Sequence, residues 1–402
     1  MRSSLGRRVL AASGLAGFGI VLALLALELG VRALHLVPSR FWQPDAELGT
    51  KLIPGASGWW TQEEHEFTVP VRINTDGRRD LERPVTKPPG TYRVLLLGDS
   101  FVEAMQVPIE QTFARHLEAA LTRKGGPPVE VMSMGVSGYG TASQYLWYRD
   151  HGRAYQPDLV LLSFYPGNDV RNNSPTLEPT LRPQYDGDGN LQRVNGGKNG
   201  DAAPGAEPSR GLLATSAAYT YVRKMLLTQH PGLAERLANL GVVNRAALRP
   251  VPMADGVPVD YWVYAADAPP VWRDAWDHTE HLLTGLRDAV AADGAHFAVM
   301  IVTAREQIYP GDWQQLLDTY PAMRQVNWDL NGPERRVLAW CERAAVPCIQ
   351  LSPAFVARRD EQRLHFHYDG HWTPAGHALA AETVANFLRG PAWPPAQYAE
   401  GS

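Results

Sequence analysis

Cysteine is nearly absent: the 402-residue chain has two, Cys341 and Cys348. Two cysteines cannot staple a chain of this length, and by themselves they make a poor metal site. Cys341 falls on an expected helix and Cys348 at the start of an expected strand, so a disulfide and a pair of buried thiols both stay open. A long basic block is also missing, and the formal net charge is −4. That excludes a phosphate-tracking surface and, with it, nucleic acid as a partner. No internal repeat stands out. Charged residues make up 20% and hydrophobic residues 45%, which suits one large or two modest globular domains.

Charge is wholly absent between Val9 and Leu27. As a helix this run reaches about 28 Å, close to the hydrocarbon thickness of a bilayer. Arg2, Arg7 and Arg8 precede it, and Glu28 and Arg32 are the first charges after it. Arginines on the leading side predict a cytoplasmic segment 1–8, a transmembrane signal anchor over 9–30 and an extracytoplasmic remainder. A cleaved signal peptide would have a shorter apolar core and a clear small-x-small site. Only Val31-Arg32-Ala33 resembles such a site. A buried core helix would show a polar face, which this run lacks.

Residues 31–90 read as an irregular membrane-proximal collar with a short strand at Phe67–Ile73 and a turn at Asn74–Gly77. From there to about residue 390, strands alternate with helices. Strands are expected at Arg93–Leu97, Val129–Met134, Asp158–Tyr165, His296–Val302 and Pro347–Leu351. Helices are expected at Gln111–Thr122, Thr141–Tyr155, Trp272–Ala292, Pro333–Ala345 and Pro374–Leu388. This alternation predicts an α/β fold, a doubly wound parallel sheet. Two stretches break the rhythm, at about 171–270 and 305–328, and read as insertions; 391–402 is a tail. In the first, Gln184–Val194 reads as a hairpin around Asp186–Asn190, because a calcium loop would need a bidentate Glu that is not there. Ala217–Leu240 has a helical period.

In an open parallel sheet, ligands bind beyond the carboxyl ends of the strands. Those positions hold Ser100, the loop Gly135–Gly140, the string Pro166-Gly167-Asn168-Asp169 and, after the last strand, Asp369-Gly370-His371-Trp372. They supply a hydroxyl, close-approach amides, a neutral amide donor and a carboxylate–imidazole pair, the inventory for acyl transfer through a covalent intermediate. A Ser hydroxyl is a weak nucleophile at neutral pH, so His371 would take its proton while Asp369 orients the ring. The Ser100 N–H, the Gly138 N–H and the Asn168 amide are the candidate oxyanion donors.

Gly98-Asp99-Ser100, Ser137-Gly138, Gly167-Asn168-Asp169 and the late Asp/His pair resemble the four blocks of the SGNH (GDSL-type) hydrolase superfamily, in the family's order. The resemblance covers about 90–170 and 270–390. It implies a flavodoxin-like sheet over residues 91–390, with nucleophile Ser100, base His371, orienting Asp369 and oxyanion donors Ser100, Gly138 and Asn168. Two blocks depart from the family pattern. Pro166 replaces the first Gly of Gly-x-Asn-Asp, and Asp-x-x-His is shortened to Asp369-x-His371 followed by Trp372. The shorter block is similar to that of the alginate O-acetylation proteins, where it precedes the nucleophile.

Other residues compete for these roles. Asp293-Gly294-Ala295-His296 has the usual Asp-x-x-His spacing but lies at the opposite end of the sheet. His377 is a closer rival on the final helix. His365, His367, Asp369 and His371 alternate and could face a metal, but that would leave Ser100 and Asn168 unexplained. No cofactor or metal is expected. The expected activity is that of a serine esterase on an O-acyl, preferably O-acetyl, ester of an exported or cell-surface carbohydrate. An O-acyltransferase with the same triad, and a non-catalytic carbohydrate-binding or assembly protein on an esterase scaffold, are the alternatives. The expected partners are the acyl ester substrate, such as an acylated polysaccharide, and the lipid bilayer through 9–30.

Overall fold

The computed structural model describes residues 2–62, 64, 66–122, 126–178, 183–185, 191–192, 216–239 and 253–390. Packing divides the chain into two compact units. One comprises Met1–Ser39, Trp59–Thr61 and Glu207–Pro250; the other comprises Arg40–Gly58, Gln62–Ala206 and Val251–Ser402.

The larger unit is built on five parallel strands: β1 (Tyr92–Leu97), β2 (Val129–Ser133), β3 (Leu159–Phe164), β4 (His296–Ile301) and β5 (Cys348–Gln350). Their spatial order is β5-β4-β3-β1-β2. This is the flavodoxin-like order, so the expected sheet is present. The strand order reverses between β1 and β3, which pair directly. Ser100 follows β1 and Asn168 follows β3, which places both at that crevice.

Strand side chains alternate between two cores. Leu95, Leu97, Val160, Leu162, Val299 and Ile301 join one core with helices Thr141–Asp150, Pro270–Ala292 and Gly332–Ala344. Val94, Leu96, Leu159, Leu161, Ala298 and Met300 join the other with helices Phe113–Leu121, Ser352–Arg358 and Pro374–Arg389. Every residue of β3 is buried. Each fully buried Leu or Val there contributes about 1.5–3 kcal/mol relative to exposure, and the apolar strand runs follow from that two-sided burial.

Several element boundaries differ from the sequence expectation. Thr141–Asp150 ends before a 3-10 turn at Gly152–Tyr155. Gly152 sits so close to Tyr148, Trp147 and Leu95 that the chain turns there against the sheet. Ala217–Leu240 is two helices, Ala217–Gln229 and Pro231–Asn239, because Pro231 cannot donate to the preceding turn. Gln184–Tyr185 pairs antiparallel with Leu191–Gln192, as the hairpin reading expects, while its turn at 186–190 lies outside the described residues. In the collar, the strand Thr68–Arg72 and the turn closed by Gly77 N–H on the Asn74 carbonyl are present. An unforeseen hairpin, Trp42–Asp45 with Gly49–Leu52, precedes them. Cys341 and Cys348 form a disulfide that joins the helix Gly332–Ala344 to β5.

Among the described residues one helix is long and apolar enough to cross a membrane, Ala12–Ala33, within the longer helix Arg2–Ala33 of the smaller unit. Leu15, Phe18, Ile20, Leu22 and Leu29 are exposed along it. Glu28, the first charge after the apolar run, accepts hydrogen bonds from Ser216 Oγ (2.8 Å) and from the Ala217 and Ala218 N–H groups (3.0 and 2.8 Å). It therefore caps the N-terminus of the helix Ala217–Gln229, where amides are unsatisfied and a carboxylate is favoured.

Candidate active site

Ser100 opens a four-residue helix, Ser100–Glu103, directly after β1. Asp99 caps it, accepting the Phe101 N–H at 2.9 Å. Ala104, with φ 52°, ends it after one turn. The loop after β2 must pass under this turn. A Cβ on Gly135 would meet Asp99 O at 2.7 Å and Glu103 N at 2.5 Å, so only glycine fits there.

After β3 the chain enters the helix Pro166–Asn172. Pro166 is at its first position, where a missing N–H costs nothing, so the departure from the family's Gly is absorbed locally. Asp169 is buried and accepts the Tyr165 N–H at 3.0 Å, closing the turn. Asn168 Nδ2 donates to Asp99 Oδ2 at 2.8 Å, which leaves its second hydrogen for a ligand. The nucleophile turn and the amide donor are thereby locked together across the β1/β3 crevice. Burial pushes the Asp99 carboxyl up, against the opposing bonds from Phe101 and Asn168.

The Asp369–His371 block lies on a loop farther from β5 than the sequence suggests, because the helix Ser352–Arg358 intervenes. His371 Nε2 is 2.7 Å from Ser100 Oγ, and His371 Nδ1 is 2.6 Å from Asp369 Oδ1. Gly370 (φ 84°) makes the short spacing work. The chain folds back so that Asp369 Oδ1 also accepts the His371 N–H at 3.3 Å. One carboxylate oxygen thus holds both the backbone and the ring of the residue two places on. Burial pushes the His371 pKa down, but the Asp369 carboxylate, with Asp99 and Glu103 farther off, outweighs it and the net shift is upward. Burial likewise opposes ionisation of Asp369, yet the imidazole holds its pKa below the ordinary value.

A cleft of about 300 Å³ opens on Ser100, Asn168, Asp369 and His371. Both interrupting stretches contribute to it: Asp260, Tyr261 and Tyr264 from the first, Arg305 and Glu306 from the second. Gly138 does not line the cleft. It adopts φ 81°, its carbonyl accepts from Asn172 Nδ2 at 3.3 Å, and its neighbour Ser137 donates through Oγ to Glu103 Oε2. Glu103 also accepts the Trp42 indole N–H at 2.9 Å. Burial pushes the Glu103 carboxyl up to about 7, despite the bonds from Ser137 and Trp42 and the charge of Arg79.

The competing histidines are elsewhere. His296 opens β4 at the far end of the sheet, and Asp293 of the same string binds Tyr148 Oη at 2.9 Å. His377 is buried; its Nδ1 accepts the Phe113 N–H at 3.2 Å and so serves the start of the helix Phe113–Leu121. Burial holds it neutral, with a pKa well below the ordinary value. His365 is also buried, with Nε2 3.2 Å from the Thr303 carbonyl, and burial drives its pKa to about 3. His367 and His365 belong to the same loop as His371 but not to the Ser100 contact. Among the described residues no three His, Cys, Asp or Glu side chains cluster as metal ligands would. Glu103, Glu66 and the cleft residues Tyr261 and Arg305 carry no motif signal in the sequence.

The sheet order, the turn at Ser100 and the Asp369–His371 loop are similar to those of an SGNH hydrolase-like domain. More particularly, residues 259–401 match the family model described as ALGX, the SGNH hydrolase-like domain of the acetyltransferase AlgX. That match contains Asp369 and His371 and begins after Ser100, Gly138 and Asn168. No curated protein matches the chain. Among solved structures, it is similar to the acetyl xylan esterase AlAXEase at 12% identity, covering 74% of this chain and 99% of that one, with a TM-score of 0.37. The lipase Lip_vut3 from a goat rumen metagenome gives 11%, 75%, 99% and 0.39 in the same terms. A catalytic mutant of Axe2, an acetylxylan esterase from Geobacillus stearothermophilus, gives 12%, 75%, 95% and 0.37. At these values the structural likenesses carry no argument about chemistry.

Proposed function

We propose that this chain is a membrane-anchored serine enzyme that breaks an O-acyl ester, preferably O-acetyl, on an exported or cell-surface carbohydrate. The observation that carries the reading is the continuous contact Asp369–His371–Ser100 at 2.6 and 2.7 Å. Ser100 Oγ attacks the ester carbonyl as its proton passes to His371 Nε2. The resulting oxyanion is held by the Ser100 N–H group and the free Asn168 amide hydrogen, since Gly138 does not line the cleft. The intermediate collapses, and the departing sugar oxygen takes the proton from His371, leaving acyl-Ser100 and a free hydroxyl. A second hydroxyl, deprotonated by His371, then attacks the acyl group and regenerates Ser100.

Water in that second step makes the protein an esterase; a sugar alcohol makes it an O-acyltransferase. The AlgX match supports the transferase as a second reading. The decisive assay uses an aryl acetate with and without an oligosaccharide acceptor, with products identified by mass spectrometry. Fluorophosphonate should label Ser100 and leave Ser100→Ala unlabelled. A folded Ser100→Ala protein that keeps most of its activity would overturn the covalent mechanism. Absence of any labelling of the wild type would favour a non-catalytic carbohydrate-binding role. The exposed apolar helix Ala12–Ala33 supports the anchor, and Arg2, Arg7 and Arg8 ahead of it favour residues beyond it lying outside the cytoplasm. Deleting residues 1–30 should release a soluble domain, whereas natural processing near Ala33 would make the run a signal peptide.

A further inference from the structure

The loop that carries Asp369 and His371 has almost no regular structure of its own. Between Phe366 and His371 it is closed by the Phe366 N–H on the His371 carbonyl (2.8 Å) and the Gly370 N–H on the Phe366 carbonyl (3.2 Å). Three consecutive N–H groups, those of His367, Tyr368 and Asp369, point outward from this turn and need an acceptor. All three donate to one side chain, Glu66, from the collar. His367 N–H reaches Oε1, while Tyr368 and Asp369 N–H reach Oε2 at 3.0 and 3.2 Å. Glu66 is itself fixed, since its own N–H donates to Gln62 Oε1 at 3.1 Å. Beside it, the Phe67 ring packs on Phe366 at 4.8 Å between centroids. On the other flank, Arg305 Nη1 donates to the His367 carbonyl.

From this arrangement we infer that Glu66 is the positioning residue of the acid–base pair, holding the Asp369 backbone so that its carboxylate meets His371 and His371 meets Ser100. The inference rests on the Ser100–His371–Asp369 reading above. Its physical core is directional. Fixing the Asp369 N–H fixes the peptide that aims its Cβ, and the carboxylate has only two further torsions before it must hold both the His371 N–H and its ring. The three adjacent amides form an anion nest that the Glu66 carboxylate fills from within the chain through charge-assisted bonds. The collar is then part of the catalytic apparatus, although the matched family segment begins at residue 259.

The pH profile separates positioning from mere support. The charged groups around the imidazole are Asp369, Asp99 and Glu103, with Arg305 acting on Asp369. The other nearby titrating groups are the buried His365 and His377. If the loop loosens, the imidazolium loses part of its Asp369 support, and the acid limb of the rate profile moves to lower pH. Glu66→Gln keeps the size but removes the charge and turns its amide NH2, a donor, toward at least one of the N–H groups. Glu66→Asp keeps the charge but falls short of the three amides.

The test uses the full-length protein in detergent, measuring fluorophosphonate labelling rates and 4-nitrophenyl acetate turnover from pH 5 to 9. Both variants should lose about 10- to 100-fold in labelling rate and kcat, the scale of an ångström-level misplacement, with KM nearly unchanged. In both, the acid limb should shift downward. A shift in Glu66→Gln alone, with Glu66→Asp keeping the wild-type limb, would mean a through-space charge effect and overturn the inference. So would a lowered melting temperature with an unmoved limb in either variant. Should Glu66→Gln fail to fold, the limb of Glu66→Asp decides by itself. Ser100→Ala runs in parallel: labelling of that variant at the wild-type rate would sink the triad itself, whereas a dead Ser100→Ala beside unaffected Glu66 variants would sink only the positioning role.

Discussion

The two halves of the site are built in opposite ways. Ser100, Asp99 and Asn168 sit on first turns that directly continue β1 and β3, and their mutual contact is Asn168 Nδ2 to Asp99 Oδ2. Asp369 and His371 sit on a loop whose shape is set by one glycine torsion and by amides that reach across the chain to Glu66. The first half inherits its precision from the sheet. The second must import it. The nucleophile side should therefore tolerate changes at a distance and fail abruptly at its own atoms, while the base side should be tunable from outside.

The largest effect should come from His371→Ala, with turnover falling by several orders of magnitude, close to the loss in Ser100→Ala, since triad members act as a unit. Asp369→Asn should approach a 10⁴-fold loss through the wrong ring tautomer. Rates with an aryl acetate check both, and a folded His371→Ala protein of near wild-type activity would erase the contrast. Asn168→Ala should lower kcat by about 100- to 1000-fold, the usual cost of an oxyanion donor. It also removes a bond to buried Asp99, so the melting temperature should fall with it.

Glu103→Gln should act chiefly on stability, with only a small downward shift of the His371 pKa as the Glu103 charge is removed. The Glu103 carboxyl is raised from 4.5 to about 7, chiefly by burial, so the folded state favours its neutral form. That contribution is fully present below pH 4.5 and is lost as pH rises through about 7. Relative to Glu103→Gln, the wild type should lose about 3 kcal/mol across this window, read from urea midpoints at pH 4.5 and 8. A constant gap would show that Glu103 titrates alike folded and unfolded. His377→Ala should be the mildest in activity, within about tenfold or roughly 1.4 kcal/mol of barrier, because that ring serves the Phe113 N–H and not Ser100.

The same contrast sets what could be read from the sequence. The strands were legible because runs such as Leu159–Phe164 are apolar but for Ser163, which two-sided burial explains. Ser100 and Asn168 were legible because they follow such strands at once. Asp369 and His371 were legible as a pair, but the geometry of their contact was not, since it depends on the Gly370 torsion and an Asp accepting from the residue two ahead. Glu66 left no trace because its partners are backbone amides 301 to 303 residues away, and an amide has no letter in the sequence. The collar hairpin was hidden for a simpler reason: Pro44 and Asp45 disguise a strand held mostly by its partner.

The Asp369-Gly370-His371 turn has a consequence for how sites of this shape diversify. Its carboxylate grips both the amide and the ring of the same histidine, so the pair arrives preassembled, as a cassette three residues long. A cassette needs an address, 2.7 Å from the serine, but no particular place in the order of the chain. That offers a physical reason why a similar Asp-x-His block can precede the nucleophile in the alginate O-acetylation proteins and follow it here.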